Sequence, residues 1–167
     1  MKTLVPQVFE EVEKVKTKEE KIKVLRSYDS IALKGVLEIN HHPLAKMNLP
    51  EGEPPFKKDK DIPYGYSETN LYAEFRRIYI WTRNDVNLPK VRKEQLFVQL
   101  LEGIHWQEAE ALCLAKDRNL EKKYPSLTYD LVFEAFPGLL PIKEKAAEPQ
   151  PTKKKSPVKK SSVPSSK

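Results

Sequence analysis

Arg76 and Arg77, with Tyr72, Tyr79, Trp81 and Arg83 close by in sequence, set cations beside flat rings, the combination that holds phosphates and stacked bases of a single strand. The competing reading is a solvated helix face with one ion pair to Glu74 or Glu68 and half of the rings taken by the core. The densest cationic run is Lys153-Lys154-Lys155-Ser156-Pro157-Val158-Lys159-Lys160. Such a segment follows a phosphate backbone by neutralising charges and releasing counterions, and it reads no bases. Its bland alternative is a solubilising terminus with no partner.

Groups for bond-making chemistry are sparse. His41, His42, His105 and the single Cys113 do not show the ligand spacing that zinc needs, and an adjacent His pair does not easily face one ion. The chain has no Gly-rich phosphate loop, no G-x-S-x-G and no H-E-x-x-H. Glu10-Glu11 and Glu19-Glu20 occupy exposed helical positions, where ordinary solvation is expected. Cys113, between Leu112 and Leu114, is expected to be a buried, inert thiol. Lys116, Arg118, Lys122 and Lys123, balanced by Asp117 and Glu121, read as an exposed helix end favoured by the helix dipole. The expectation is a protein that is not an enzyme and uses no cofactor and no metal.

A chain of 167 residues, 39% hydrophobic and 32% charged, buries one modest core. No apolar run approaches the roughly 18 residues needed to cross a bilayer, and the first ten residues lack the basic and apolar regions of a secretory signal. A cytoplasmic protein with no membrane contact is expected. The net charge of +6 is unevenly placed. Of 30 basic and 24 acidic residues, eight and two lie in residues 142–167, so 22 of each remain in residues 1–141. An electrically balanced body assigns non-specific nucleic-acid affinity mainly to the tail.

The elements that would position these groups are helical. Val5, Val8, Val12 and Val15 recur at helical spacing after Pro6. Thr17 and Glu20 fit a capping box ahead of Ile22, Leu25 and Tyr28. Asp29 or Ser30 caps a third helix to about Asn40, with Leu33, Val36 and Leu37 inward and Pro43 beyond its end. Residues 41–67 hold five prolines and two glycines and read as one long loop. Its apolar residues, among them Leu49, Phe56, Ile62, Tyr64 and Tyr66, imply that it packs on the helices. Ser67 or Thr69 caps a fourth helix through Leu71, Phe75, Ile78 and Tyr79. A fifth starts near Pro89, buries Leu96, Phe97, Leu100 and Leu101, and ends at Gly103 in a left-handed conformation. Trp106, Ala109, Leu112 and Cys113 mark a helix running to Asp117 or Leu120, and Thr128 caps a last short one, with Leu127 and Val132 as a staple and Pro137-Gly138 as its stop.

No segment alternates with period two, so an all-α fold is expected: a compact bundle of six or seven short helices over residues 1–141, with one long Pro-rich loop and a disordered Lys/Ser/Pro tail over 142–167. Helix, Gly103 and helix across Gln95–Leu112 also suggest a helix-turn-helix. However, Glu108 and Glu110 would then face phosphates, so a plain helical hairpin is preferred.

Leu49–Phe56 (LPEGEPPF), Asn70–Arg77 (NLYAEFRR), Arg92–Glu102 (RKEQLFVQLLE) and Ala135–Pro141 (AFPGLLP), together with Asp29-Ser30, span nearly the whole body. On these segments the chain resembles a group of small, functionally unassigned proteins of T-even-like tailed bacteriophages, especially marine ones. The resemblance implies a virus-encoded protein acting in the bacterial host cytoplasm or in the virion, and it brings no catalytic residues. The tail departs from the group, whose members end soon after the Leu-Leu-Pro segment.

These readings combine into a non-enzymatic accessory protein. Its body binds a protein partner through the long loop, with Phe56, Tyr64 and Tyr66 as contacts. Its tail lysines Lys153, Lys154, Lys155, Lys159 and Lys160, with Arg76, Arg77 and Arg83, meet DNA or RNA without sequence preference. The alternative is a virion structural or assembly component. The identity of the partner and the oligomeric state are not legible in the sequence.

Overall fold

The computed structural model describes residues 3–142, and every one of its regular elements is helical. Three consecutive helices, α1 (Val5–Lys14), α2 (Lys18–Ser27) and α3 (Ile31–His41), precede the long loop. After it come α4 (Leu71–Glu74), a 3-10 turn (Phe75–Arg77) and α5 (Tyr79–Thr82), then α6 (Lys90–Gly103), α7 (Trp106–Lys116), α8 (Leu120–Lys123) and α9 (Tyr129–Ala135). None of these helices is long and apolar enough to cross a membrane.

Local chemistry sets the helix starts. Thr17 Oγ1 accepts the Glu20 N–H, and the Glu20 carboxylate accepts the Thr17 N–H in return, the reciprocal bonding of a capping box. Ser30 accepts the Leu33 N–H at 3.1 Å, and Thr128 accepts that of Leu131 at 3.2 Å. Each satisfies a first-turn donor that the helix itself leaves unpaired.

The apolar faces converge on one core. Val8, Phe9 and Val12 of α1, Leu33, Val36 and Leu37 of α3 and Leu112 of α7 are wholly removed from solvent, which is the main stabilising term of such a fold. α7 is the central element, packed on α1, α3 and α6, while α2 joins α1 to α9. Trp81 is buried with its indole N–H donating to Lys93 O at 2.8 Å and its ring edge-on to Phe97 at 5.5 Å. The polar end of the indole is thereby satisfied inside the core.

Nine α-helices among the described residues exceed the six or seven expected, because one expected helix is divided and a further short one, α8, follows the helix that starts at Trp106. The Leu71–Thr82 segment narrows to 3-10 geometry where Phe75 meets α3. A Cβ on Gly35 would lie 2.1 Å from the Phe75 ring, so α3 and this turn approach at a position only glycine permits. The helix after Trp106 stops at Lys116, because Arg118 adopts φ 60°, the left-handed region that ends helical hydrogen bonding. The chain then resumes as α8.

Two local expectations are also corrected. Asn70, rather than Ser67 or Thr69, caps α4, accepting the Ala73 N–H at 2.9 Å. The Thr69 N–H is engaged by Gly103 O at 2.9 Å. Gly103 is not left-handed. It is the last residue of α6, and its value lies in close approach, since an added Cβ would sit 3.3 Å from the Thr69 methyl.

Candidate docking groove and basic surface

The long loop lies on the helices, as its apolar residues imply. Met47 is buried, Leu49 and Phe56 are half-buried against the core, and the Asn48 N–H donates to Trp81 O at 2.6 Å. Its Pro-rich part is fixed by a lysine. Lys116, only 2% exposed, donates from Nζ to Pro50 O (2.7 Å), Gly52 O (3.0 Å) and Asp117 Oδ1 (2.6 Å). Asp117 Oδ2 accepts the Gly52 N–H at 3.1 Å, and Gly52 takes φ 92° so that its carbonyl and its N–H both face this pair. A buried ammonium persists only with such full pairing. Lys116 is thus an internal tether and not part of an exposed basic helix end. Arg118 is likewise turned inward, donating from Nη2 to His42 O.

Between the tethered loop and the outer face of α6 lies a groove of about 860 Å³. Leu49, Pro54, Val91, Phe97 and Val98 give it an apolar floor, and Glu51, Glu53 and Glu94 stand around it. Val91 is 66% exposed. The volume suits a short stretch of peptide or a small ligand.

A polar joint forms at the start of α7. Glu108, in the first turn of α7 and 0% exposed, accepts the Leu71 N–H at 3.0 Å and the His105 N–H at 3.3 Å. One carboxylate thereby joins the N-termini of α4 and α7. Burial pushes its pKa up to about 7, against the pull of those two N–H donors. His105 Nδ1 accepts the Gln107 N–H at 3.2 Å, so Nε2 carries the proton that goes to Ile62 O at 3.0 Å. Burial lowers the His105 pKa and favours this neutral ring.

The residues expected to contact a partner divide. Tyr64 stacks on His105 with centroids 4.5 Å apart, and burial raises its pKa to about 12. Phe56 packs on the core under Lys58, whose Nζ is 5.3 Å from the ring centroid. Tyr66 alone of the three is open, at 72% exposure, on the rim of a smaller hollow of about 430 Å³ with Trp106 and His105.

The arginine cluster is not assembled as a stacking platform. Trp81 is in the core, and the Tyr72 hydroxyl donates to Thr3 O. Arg77 pairs with Glu74 at 3.0 Å, and Arg83 with Asp85 at 3.0 Å. Among the described residues Arg76 makes no ion pair, and Tyr79 is the exposed ring on the same segment. Lys153, Lys154, Lys155, Lys159 and Lys160 lie outside the described residues, as does the expectation of a disordered tail.

The groove residues Val91, Val98 and Glu94 and the tether Lys116–Asp117 are not among the expected site residues. One signal for the first group exists. Val91 and Val98, seven residues apart with Gln95 between them, form a second apolar stripe on α6 away from the Phe97, Leu100 and Leu101 face. The tether has no local signal, because its carbonyl partners are 64 and 66 residues away.

The chain belongs to the family described as a family of unknown function (DUF6433), whose pattern matches residues 8–122. That match takes in the groove, the tether and the polar joint, and ends before α9 and the tail. No curated protein matches the chain.

Proposed function

We propose that this member of the family is a non-catalytic accessory protein that grips a segment of a protein partner in the groove between Leu49–Pro55 and α6, and meets nucleic acid through its basic tail. In the bacteriophage setting implied by the resemblance, it acts in the host cytoplasm. The observation that carries the reading is the tethered groove itself. A buried lysine binds two backbone carbonyls of a Pro-rich rim and Asp117, and this rim lines the groove together with an apolar helix face. The apolar floor beneath carboxylates favours an extended segment with small apolar residues flanked by lysine or arginine.

The tail supports the second half of the reading by composition. Its eight lysines against two glutamates make it the part of the chain able to neutralise phosphates. The test is selection of peptides from a random library on the immobilised full chain. Enrichment of apolar residues between basic ones, lost with Val91→Asp or Val98→Asp, is expected. Enrichment indifferent to both substitutions overturns the groove as the docking site.

A further inference from the structure

The lining of the groove is biased in charge. Among its described residues are three carboxylates, Glu51, Glu53 and Glu94, and one ammonium, Lys116, already committed to Pro50, Gly52 and Asp117. Lys58 pairs with Glu53 at 2.8 Å. Among the described residues Glu51 and Glu94 make no ion pair, and they stand above an apolar floor of Val91, Val98 and Phe97.

The chain carries the complementary pattern itself. Pro157-Val158 is an apolar pair between Lys153-Lys154-Lys155 and Lys159-Lys160, and a residue preceding proline is held in extended backbone, the form a narrow groove accepts. The place where the chain leaves the described residues also fits. The Tyr129 hydroxyl donates to Pro141 O, the Tyr129 ring lies edge-on to His41 at 5.8 Å, Arg118 holds His42 O, and Asp117 beside it accepts the Gly52 N–H on the groove rim. Exit and rim are thus joined by consecutive side-chain contacts, each a few ångströms long. The 15 residues from Lys143 to Pro157 reach up to about 50 Å when extended, which exceeds the roughly 37 Å diameter expected of a body this size.

We infer that Lys153–Lys160 docks in this groove of its own chain, with Pro157 and Val158 on the α6 valines and the flanking lysines against Glu51 and Glu94. The inference rests on the groove being a docking site. Because the same lysines are the ones that meet phosphate, nucleic acid and groove compete for one segment. Polyanion draws the segment out, and the emptied groove becomes available to the protein partner.

The test uses the full chain with a benzophenone amino acid incorporated at position 158 and, in a second preparation, at position 156, irradiated in dilute solution and mapped by mass spectrometry. Cross-links of monomer mass to residues 49–55 or 91–99 are expected. Their yield should fall about tenfold in Glu51→Lys/Glu94→Lys, where two attractive surface pairs become repulsive, and should fall again when duplex DNA is added at low salt. Cross-links scattered over the body, or confined to dimers, or unmoved by the charge reversal and by DNA, overturn the inference. Library peptides that still require Val91 and Val98 would then show that the groove docks something other than the tail. Loss of both results removes the groove reading itself.

Discussion

Glu108 accepts the backbone N–H of Leu71 at 3.0 Å across 37 residues of chain, and this one bond ties the start of α4 to the start of α7. The carboxyl that makes it is sealed from water and titrates near pH 7. A group whose folded pKa stands above its unfolded value, here about 7 against 4.5, contributes stability that is complete below pH 4.5 and is lost as pH rises through 7. The swing is about 3 kcal/mol.

Denaturant unfolding between pH 5 and pH 8 reads this directly. The wild-type midpoint should fall as pH rises across that range. In Glu108→Gln the fall should vanish. His105, whose lowered pKa acts with the opposite sign, would then leave a level or rising profile. At pH 5 the variant should be less stable by about 1–2 kcal/mol, because an amide offers one acceptor where the carboxyl offers two. Parallel profiles for the two proteins would refute the assignment.

Lys116→Met keeps the length of the side chain and removes its three hydrogen bonds. The expected cost is about 2–4 kcal/mol, since Asp117 and two carbonyls lose their donor. Hydrogen exchange at Gly52, whose N–H is held by Asp117, should accelerate well beyond that of α3 amides such as Leu37. Uniform acceleration over the whole body would mean that Lys116 contributes to global stability alone and does not tether the loop.

Gly35→Ala would ordinarily strengthen a helix interior by about 1 kcal/mol. Here the new methyl meets the Phe75 ring at 2.1 Å, so a net loss of about 1–3 kcal/mol is expected. Phe75→Leu in the Gly35→Ala background should recover part of that loss relative to Phe75→Leu alone. Additive single effects in this double-mutant cycle would deny the contact.

Much of the helical framework is readable because its signals are local. Thr17 with Glu20, Ser30 with Leu33 and Thr128 with Leu131 each satisfy a donor within three residues, and Leu33, Val36 and Leu37 show their inward face by spacing alone. The parts that are not readable depend on residues far apart in sequence. Glu108 has the type and position of a solvated first-turn acid until Leu71 and the packing of α4 enclose it. Lys116 looks like a dipole-favoured helix end until Pro50 and Gly52 supply carbonyls to its ammonium. Arg118 holds a left-handed turn that composition would assign to glycine or asparagine. The groove needs both a helix face and a loop rim, and only the valine stripe of the first has a signature in the sequence.

Nucleic-acid affinity, if carried by the tail, should weaken steeply with salt. Replacing Lys153, Lys154, Lys155, Lys159 and Lys160 by Gln in the full chain should reduce the slope of log K against log salt by about 0.9 for each phosphate no longer neutralised, up to about 4.5. Arg77→Ala and Arg83→Ala should change it little, because both guanidinium groups are already held by carboxylates. A slope that survives the lysine replacements but collapses with the arginines would relocate the interface to the body.

The proposed division between a peptide-gripping groove and a phosphate-binding tail is tested most directly by fluorescence anisotropy, using one library-selected peptide and the full chain with its five tail lysines replaced by Gln. Saturable binding that weakens at least about tenfold with Val98→Asp is the predicted result. Equal affinity for the parent and for Val98→Asp would contradict the account.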